Sequence, residues 1–442
     1  MRPETQARPL YADICPHCKS VHPHAESLPE DYLNAIQKEF EAVLKRLYNG
    51  DKSDNKLLST QGKLLTDRIA ESYREINIDY STPDAEMLMR LTRDTWQFSA
   101  AKNYHELRDL TLALKDENGK LREWSDFKET ADKTGLKYNE LWMRTEYDQA
   151  IAGAQNAARW TEFEREKDVI PNLRYQTVGD NIVRPEHQLL HGIIKPIDDP
   201  FWATHYPPNG WGCRCEALQS LDGDGSVTPD ESIPHVPIAP MFRTNLAKSG
   251  LIYPKNHPYY NGIPRAELRK AIAYLPPENT YQSIIIGKHE IDVHPLHGEK
   301  ELGKNLDAVN TLLKFEPKAK IKLLPIIEVN AKTEASDKVA RKLFYPKEYL
   351  ENFSGRNADM LLNGKIAEIE VPKGTKSSIQ NAIKKGKKQA DWVLVRIPDT
   401  VELSDAGHIA NGQMKHYSDR EDFSVWIYNS SGKIEYKTKQ KR

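Results

Sequence analysis

Asp359-Met-Leu-Leu-Asn363-Gly364-Lys-Ile-Ala-Glu368-Ile-Glu370-Val-Pro372 is the most informative stretch of the 442-residue chain. Asn-Gly between two apolar runs is the strongest short hairpin signal, because both central residues of the turn need positive φ. With Asn363 and Gly364 as the turn, opposed residues have numbers summing to 727. Leu362 then faces Lys365, Leu361 faces Ile366, Met360 faces Ala367, and Asp359 faces Glu368. Directly opposed Cβ atoms lie roughly 4.5–5.5 Å apart. The strand period of two puts Glu370 on the face of Glu368, with Ala367, Ile369 and Val371 turned the other way into a core. Three carboxylates are therefore expected on one patch. Like charges placed opposite one another destabilise a strand pair. A Mg²⁺ ion or similar divalent cation would relieve them, since carboxylates, waters and substrate phosphate are its usual ligands.

The residues that follow strengthen this reading. In Gly374-Thr-Lys-Ser-Ser378, Ser377 or Ser378 is expected to cap a helix whose apolar face is Ile379, Ala382 and Ile383. Residues 365–392 hold seven lysines against three acids. Lys376, Lys384, Lys385 and Lys388 are the candidate contacts to a phosphate backbone. Trp392-Val-Leu-Val-Arg-Ile397 reads as a buried strand. Upstream, Leu302, Leu306, Val309, Leu312 and Leu313 mark a helix and 320–329 a strand. Residues 400–442 read as an extension of unassigned structure containing His408 and His416. Its end, 433–442, carries five basic residues and one acid and is expected to track a phosphate backbone or stay disordered.

The order helix, strand, strand, strand, helix, strand, with Asp359 and then Glu368-x-Glu370, resembles the PD-(D/E)xK nuclease superfamily. The longer string through Ser378-Ile, Ala382-Ile-Lys-Lys and Lys388-Gln-Ala is similar to the C-terminal tRNase toxin domains of contact-dependent growth-inhibition proteins, over about 290–400. The resemblance implies Asp359 and Glu368 as metal ligands and Glu370 where the motif lysine usually stands. Lys373 is the candidate substitute for that lysine, with Pro372 and Gly374 ending the strand beside it. Glu299 or Glu301 is a further candidate carboxylate. Metal-dependent cleavage of tRNA, or of another nucleic acid, is the implied activity, with an immunity protein guarding the producing cell.

The first half reads differently. Residues 1–27 are rich in Pro, His and Cys. From 28 to about 165 the pattern is helical. Tyr32, Leu33, Ile36, Phe40, Val43, Leu44 and Leu47 form one apolar stripe. Ala150, Ala152, Ala154, Ala157 and Ala158 permit close helix packing. The texture changes after Pro171 to short strands and ordered loops as far as 225. Nine prolines between 226 and 280 predict a stiff spacer, and 281–442 an α/β domain. Cys15-x-x-Cys18 and Cys213-x-Cys215 are two close pairs that suit one structural, tetrahedral zinc ion if folding joins them. His187 and His191 read either as additional ligands or as hydrogen-bonded core histidines.

Thr177-Val-Gly-Asp180, Arg184-Pro-Glu-His187, Leu190-His-Gly192, Asp199-Pro-Phe-Trp202 and His205-Tyr-Pro-Pro-Asn-Gly-Trp-Gly-Cys213-Arg-Cys215 closely resemble the signature of phage Mu F-like minor head, or head morphogenesis, proteins. Many relatives carry a Cys-x-x-Cys about where Glu186-His187 stands here. The resemblance implies a capsid protein near the portal, needed for head assembly, in the virion or the host cytoplasm. The expected architecture is therefore multidomain. A mainly α-helical N-terminal part carries a small α+β Cys/His module, and a C-terminal α/β PD-(D/E)xK-like nuclease domain follows. Two alternatives stand beside it: a purely structural capsid protein, and a metal-independent RNase of the barnase or colicin kind.

Composition limits the rest. With 63 Lys+Arg against 64 Asp+Glu, nucleic-acid binding needs a local basic patch. Hydrophobic residues make up 38% of the chain, enough for true cores, yet no run nears the roughly 18 apolar residues of a membrane span. The start, Met-Arg-Pro-Glu-Thr-Gln, predicts no ordinary secretory signal. Four cysteines in so long a chain do not make a disulfide scaffold.

Overall fold

The computed structural model describes residues 28–51, 55–76, 82–135, 140–221, 226–327, 335–417 and 422–438. Cys15, Cys18 and the rest of 1–27 lie outside the described residues. Two compact units result. One holds the first two helices and Arg90–Leu268; the other holds the start of the third helix and the chain from Arg269 on.

The first unit is built on helices α1 (Glu30–Tyr48), α2 (Lys56–Ile76), the part of α3 (Thr82–Ala113) from Arg90 on, α4 (Trp124–Gly135) and α5 (Glu140–Glu166). Helix α1 forms where the stripe predicts it. Tyr32, Ile36, Val43, Leu44 and Leu47 are buried, Glu30 and Asp31 lie in its first turn, and Lys45 and Arg46 in its last. Those charges oppose the helix dipole at both ends. On α5, Ala150, Ala154, Ala157 and Ala158 are fully buried, and α5 packs on α2.

Polar groups are buried inside this bundle, and each named here is paired. Lys102 Nζ lies 2.6 Å from Glu146 Oε2, and Gln61 donates to Glu106 Oε2 at 3.2 Å. After α5 comes a three-stranded antiparallel sheet in the order β2-β1-β3, from β1 (Asn172–Gln176), β2 (Ile194–Pro196) and β3 (Glu216–Gln219). One-turn helices α6 (Pro185–Gln188) and α7 (Trp202–His205) lie between the strands.

The proline-rich stretch is not a spacer. It carries the short helices α8 (Leu246–Ser249), α9 (Arg265–Ala273) and α10 (Pro277–Thr280), and as far as Leu268 it belongs to the first unit. Phe242, Ile252, Tyr253 and Tyr259 are buried. Tyr253 stacks on Phe98 with ring centroids 3.6 Å apart. Asp94 accepts hydrogen bonds from the backbone N–H groups of Ile252 and Tyr253, both at 2.8 Å. The aromatic and β-branched residues between the prolines anchor the segment to the bundle.

In the second unit the described strands make one eight-stranded mixed sheet in chain order. They are β4 (Gln282–Ile286), β5 (His289–Val293), β6 (Ile321–Leu323), β7 (Met360–Leu362), β8 (Lys365–Glu370), β9 (Trp392–Arg396), β10 (Ser424–Asn429) and β11 (Gly432–Lys437). Helices α11 (Leu302–Leu313), α12 (Ala335–Phe344), α13 (Lys347–Asn352), α14 (Lys376–Gly386) and α15 (Leu403–Lys415) connect them. The hairpin register is the expected one: Met360, Leu361 and Leu362 pair with Ala367, Ile366 and Lys365. Asn363 and Gly364 have φ of 51° and 82°. Val371 does not join the core; β8 ends at Glu370 and Val371 is exposed.

Two other expectations change. Thr375, not Ser377 or Ser378, caps α14, its Oγ1 accepting from the Ser378 N–H at 3.2 Å. Residues 403–437 are no appendage either. Strand β10 pairs in parallel with β9, and α14, α15, β9 and β10 share a core of Ile379, Ile383, Val393, Val395, Ala406, Val425 and Ile427 among others. The coarse architecture is thus helical in its N-terminal part and a mixed α/β sheet in its C-terminal part.

Candidate functional site

The hairpin delivers its acids to one place. Asp359 immediately precedes β7, and its Oδ2 accepts the Ile369 N–H at 2.9 Å. Glu368 and Glu370 leave β8 on the same side as their β9 neighbours Val393 and Val395, the side covered by α14. All three carboxylates are buried. Burial pushes the Asp359 pKa up to about 7, with Glu301 and Glu370 adding to the rise. Burial, then the nearby Asp359, raises that of Glu368 well above the carboxylate range. Glu370 is raised by burial and partly rescued by Lys385, whose Nζ lies 2.9 Å from Glu370 Oε1.

Gln389 donates to Glu368 Oε1, while Glu368 Oε2 is buried with no hydrogen-bond partner among the described residues. A buried acceptor left in this state costs free energy unless a proton or a cation reaches it. The donor chemistry therefore fits a hard divalent ion. The cluster is looser than one ion gripping three acids, however. Among the described residues only His187, Cys213 and Cys215 bring three such donor atoms within 4.8 Å of one another. A cation here would take two of the carboxylates and fill its shell with water and phosphate oxygens, as Mg²⁺ commonly does.

The cation that meets the acids is Lys385, reaching across from α14. Sequence reasoning placed Lys385 with Lys376, Lys384 and Lys388 as a phosphate contact; those three are exposed on α14 or just beyond it. Lys373 is exposed in the loop after β8. Glu301, at the start of α11, contributes to the field on all three acids. His408 and His416 are both exposed, on α15 and at its C-terminal cap.

A second cluster lies in the small sheet of the first unit. Helix α6 carries His187, and the loop from Asn209 to β3 carries Cys213 and Cys215. His187 Nδ1 is 3.6 Å from Cys213 Sγ and 3.7 Å from Cys215 Sγ. Both thiols are free of disulfides, and all three side chains are buried. The two sulfurs lie within 4.8 Å of one another. Cys215 draws the Cys213 thiol well below its ordinary pKa and is itself pushed up.

The surrounding loops are braced. Arg214 makes two 2.8 Å bonds to Asp180, Arg184 donates to the Trp211 carbonyl, and Tyr175 donates to Asn209 at 2.9 Å. The other histidines are used elsewhere. His191 Nδ1 accepts the Thr177 N–H at 3.2 Å, and His205 stacks on Phe201 at 4.5 Å. Spacing alone did not separate His187 from His191.

Comparison with known proteins bears on this unit. Residues 108–218 match the family described as Phage Mu protein F like protein. The chain is 42% identical over 73 residues to the putative capsid assembly protein F of Escherichia phage Mu, covering 16% of this chain and 17% of that one. It is 48% identical over 92 residues to the Mu-like prophage FluMu F protein of Haemophilus influenzae, covering 18% and 22%. The chain thus spans about a fifth of the length of these curated relatives. No solved structure matches it. No helix among the described residues is long and apolar enough to cross a membrane. Helix α5, the small sheet and the Cys/His cluster therefore lie in a phage Mu F-like domain.

Proposed function

We propose that the chain serves in phage head assembly through its Mu F-like domain, contacting portal and capsid proteins, and carries a metal-dependent phosphodiesterase in its C-terminal unit. The first half of this reading rests on the match of 108–218 to the Mu F-like family and on the likeness to one protein named for capsid assembly. The second half rests on one observation: three buried carboxylates, one with an unpartnered oxygen, beside a lysine.

In this reading Asp359 and Glu368 hold the divalent ion, with Glu370 at its margin. The ion, when bound, supplies polarisation of a phosphodiester and a bound water of lowered pKa. The Ile369 N–H fixes the Asp359 carboxylate, so one ligand is oriented before the ion arrives. Gln389 does the same for Glu368. Lys385 holds Glu370 and offsets charge that develops on the phosphate. Lys376, Lys384 and Lys388 extend the positive surface along α14. The substrate is nucleic acid, with tRNA first in order on the toxin resemblance.

The test uses the full chain, incubated with total tRNA, ribosomal RNA and duplex DNA, in magnesium and in chelator. Cleavage of one of these in magnesium, absent in chelator and in Asp359→Asn and Glu368→Gln, is the expected result. Cleavage that persists in chelator removes the metal mechanism. No cleavage of any substrate in magnesium, manganese or calcium removes the enzyme.

One observation favours a second, non-catalytic reading. The raised pKa values let the acids stay neutral by holding protons, so the cluster can exist without an ion, and the unit would then be a structural module of a capsid protein. Failure of magnesium to bind the wild-type chain would favour that reading.

A further inference from the structure

We infer that His187 Nδ1, Cys213 Sγ and Cys215 Sγ are three ligands of a structural zinc ion in the Mu F-like domain. The inference is independent of the phosphodiesterase reading. Its first support is arithmetic. Zinc binds thiolate sulfur at about 2.3 Å and imidazole nitrogen at about 2.0–2.1 Å in a tetrahedron, so each S···N edge measures about 3.6 Å. The two edges here are 3.6 and 3.7 Å.

A plain hydrogen bond explains the arrangement less well. An imidazole nitrogen offers one acceptor site, enough for one thiol proton. Here two sulfurs stand at nearly the same distance from one nitrogen, as they would around a common centre. All three residues are buried, where a charged thiolate needs a cation beside it. Two thiolates and a neutral imidazole would exactly balance Zn²⁺.

The fold supplies the reason for such an ion. The sheet of this module has strands of only five, three and four residues, and α6 and α7 are one turn each. Elements this short supply few backbone hydrogen bonds to hold the loops between them. An ion joining α6 to the loop before β3 cross-links two segments 26 residues apart in sequence, which is the role structural zinc plays in small modules. Of the four cysteines expected from spacing, Cys213 and Cys215 stand in this cluster with His187, and Cys15 and Cys18 lie outside the described residues. Three ligands leave one coordination position for water.

The test is the zinc content of the full chain, purified without chelator and again after incubation with zinc. About one zinc per chain is expected, lost in Cys213→Ser, Cys215→Ser and His187→Gln. Should those variants fail to fold, cobalt substitution of the wild type decides. Tetrahedral cobalt with thiolate-to-metal charge transfer supports the site. An octahedral spectrum without charge transfer overturns it. Zinc absent from the wild type under both conditions also overturns it. So does zinc that leaves a Cys15→Ser/Cys18→Ser variant but stays in Cys213→Ser, because the ion then belongs to the N-terminal pair.

Discussion

Replacing Asp359 by Asn should stabilise the metal-free C-terminal unit at neutral pH, although it removes a proposed ligand. The carboxyl is buried, and its pKa rises from 3.8 to about 7 on folding. The folded state therefore holds the proton more tightly than the unfolded state. Below about pH 4 both states are protonated and the group costs nothing. Between about pH 4 and 7 the unfolded chain releases the proton first, and stability falls with rising pH, by about 1.4 kcal/mol per unit. Above about pH 7 the full cost applies. At 1.36 kcal/mol per pKa unit the shift corresponds to about 4 kcal/mol. Asparagine keeps an acceptor for the Ile369 N–H and carries no charge, so it escapes this cost.

Calorimetry of the full chain in chelator, at about pH 5 and about pH 8, measures the effect. The transition of the C-terminal unit is identified by loss of amide protection in 360–370. In a unit of this size about 4 kcal/mol corresponds to roughly 10 °C. Part of the cost already applies at about pH 5, so the wild type should lose about 3 kcal/mol between the two pH values, and Asp359→Asn clearly less. Added magnesium should then raise the wild type at about pH 8 and leave the variant unmoved, because an ion bound only by the native state stabilises it by mass action. Equal pH dependence of the two proteins, or a variant less stable than the wild type at about pH 8 in chelator, would refute the burial argument.

Three further outcomes test other parts of the structure. Lys102→Met leaves Glu146 buried without its 2.6 Å partner, and urea denaturation should show a loss of about 3–5 kcal/mol in the helical unit. A methyl group at Gly62 would sit 2.1 Å from the Trp96 ring, so Gly62→Ala should cost about 1–3 kcal/mol by overpacking and perturb the Trp96 fluorescence. The Lys385 side chain is 62% exposed. Glu370 is buried, however, so Lys385→Met leaves its carboxylate without this partner and should cost about 1–3 kcal/mol, while a cleavage assay shows a clear loss of activity and calorimetry a greater proton uptake at Glu370.

The hairpin was legible because its signal is local. Asn363-Gly364 dictates the turn, the turn dictates the register, and the register brings Asp359, Glu368 and Glu370 to one patch. Helix α1 was legible for the same reason, its stripe needing no knowledge of partners. What escaped depended on distant contacts. The prolines of 226–280 fix φ locally and say nothing of where Ile252 and Tyr253 dock, a matter settled by Asp94 and Phe98 more than 150 residues away. Strand β10, Ser-Val-Trp-Ile-Tyr-Asn, is buried at all six positions. It therefore lacks the alternation that marks a half-exposed strand. Lys385 could be placed on a basic helix but not against Glu370, because the crossing of α14 over β8 is a tertiary fact.

The segment with recognisable relatives is not by itself a structural unit. The match ends at 218, yet α5 inside it is completed by residues beyond it. Gln149 donates to the Ile252 carbonyl at 2.9 Å, the Tyr253 hydroxyl donates to the Glu146 carbonyl at 3.0 Å, and Trp211, in the cysteine loop, packs edge-on against Phe242 at 5.0 Å. Removing everything after 225 would strip the acceptor from Gln149 and both backbone donors from Asp94, leaving buried polar groups unpaired at about 1–3 kcal/mol each. A division after Leu268 severs none of these. The chemistry of the cysteine loop and the packing of the proline-rich segment thus belong to one cooperative unit. Along this part of the chain the first unit ends at Leu268, within the proline-rich stretch rather than before it, and the carboxylate site belongs to the other unit together with the start of α3.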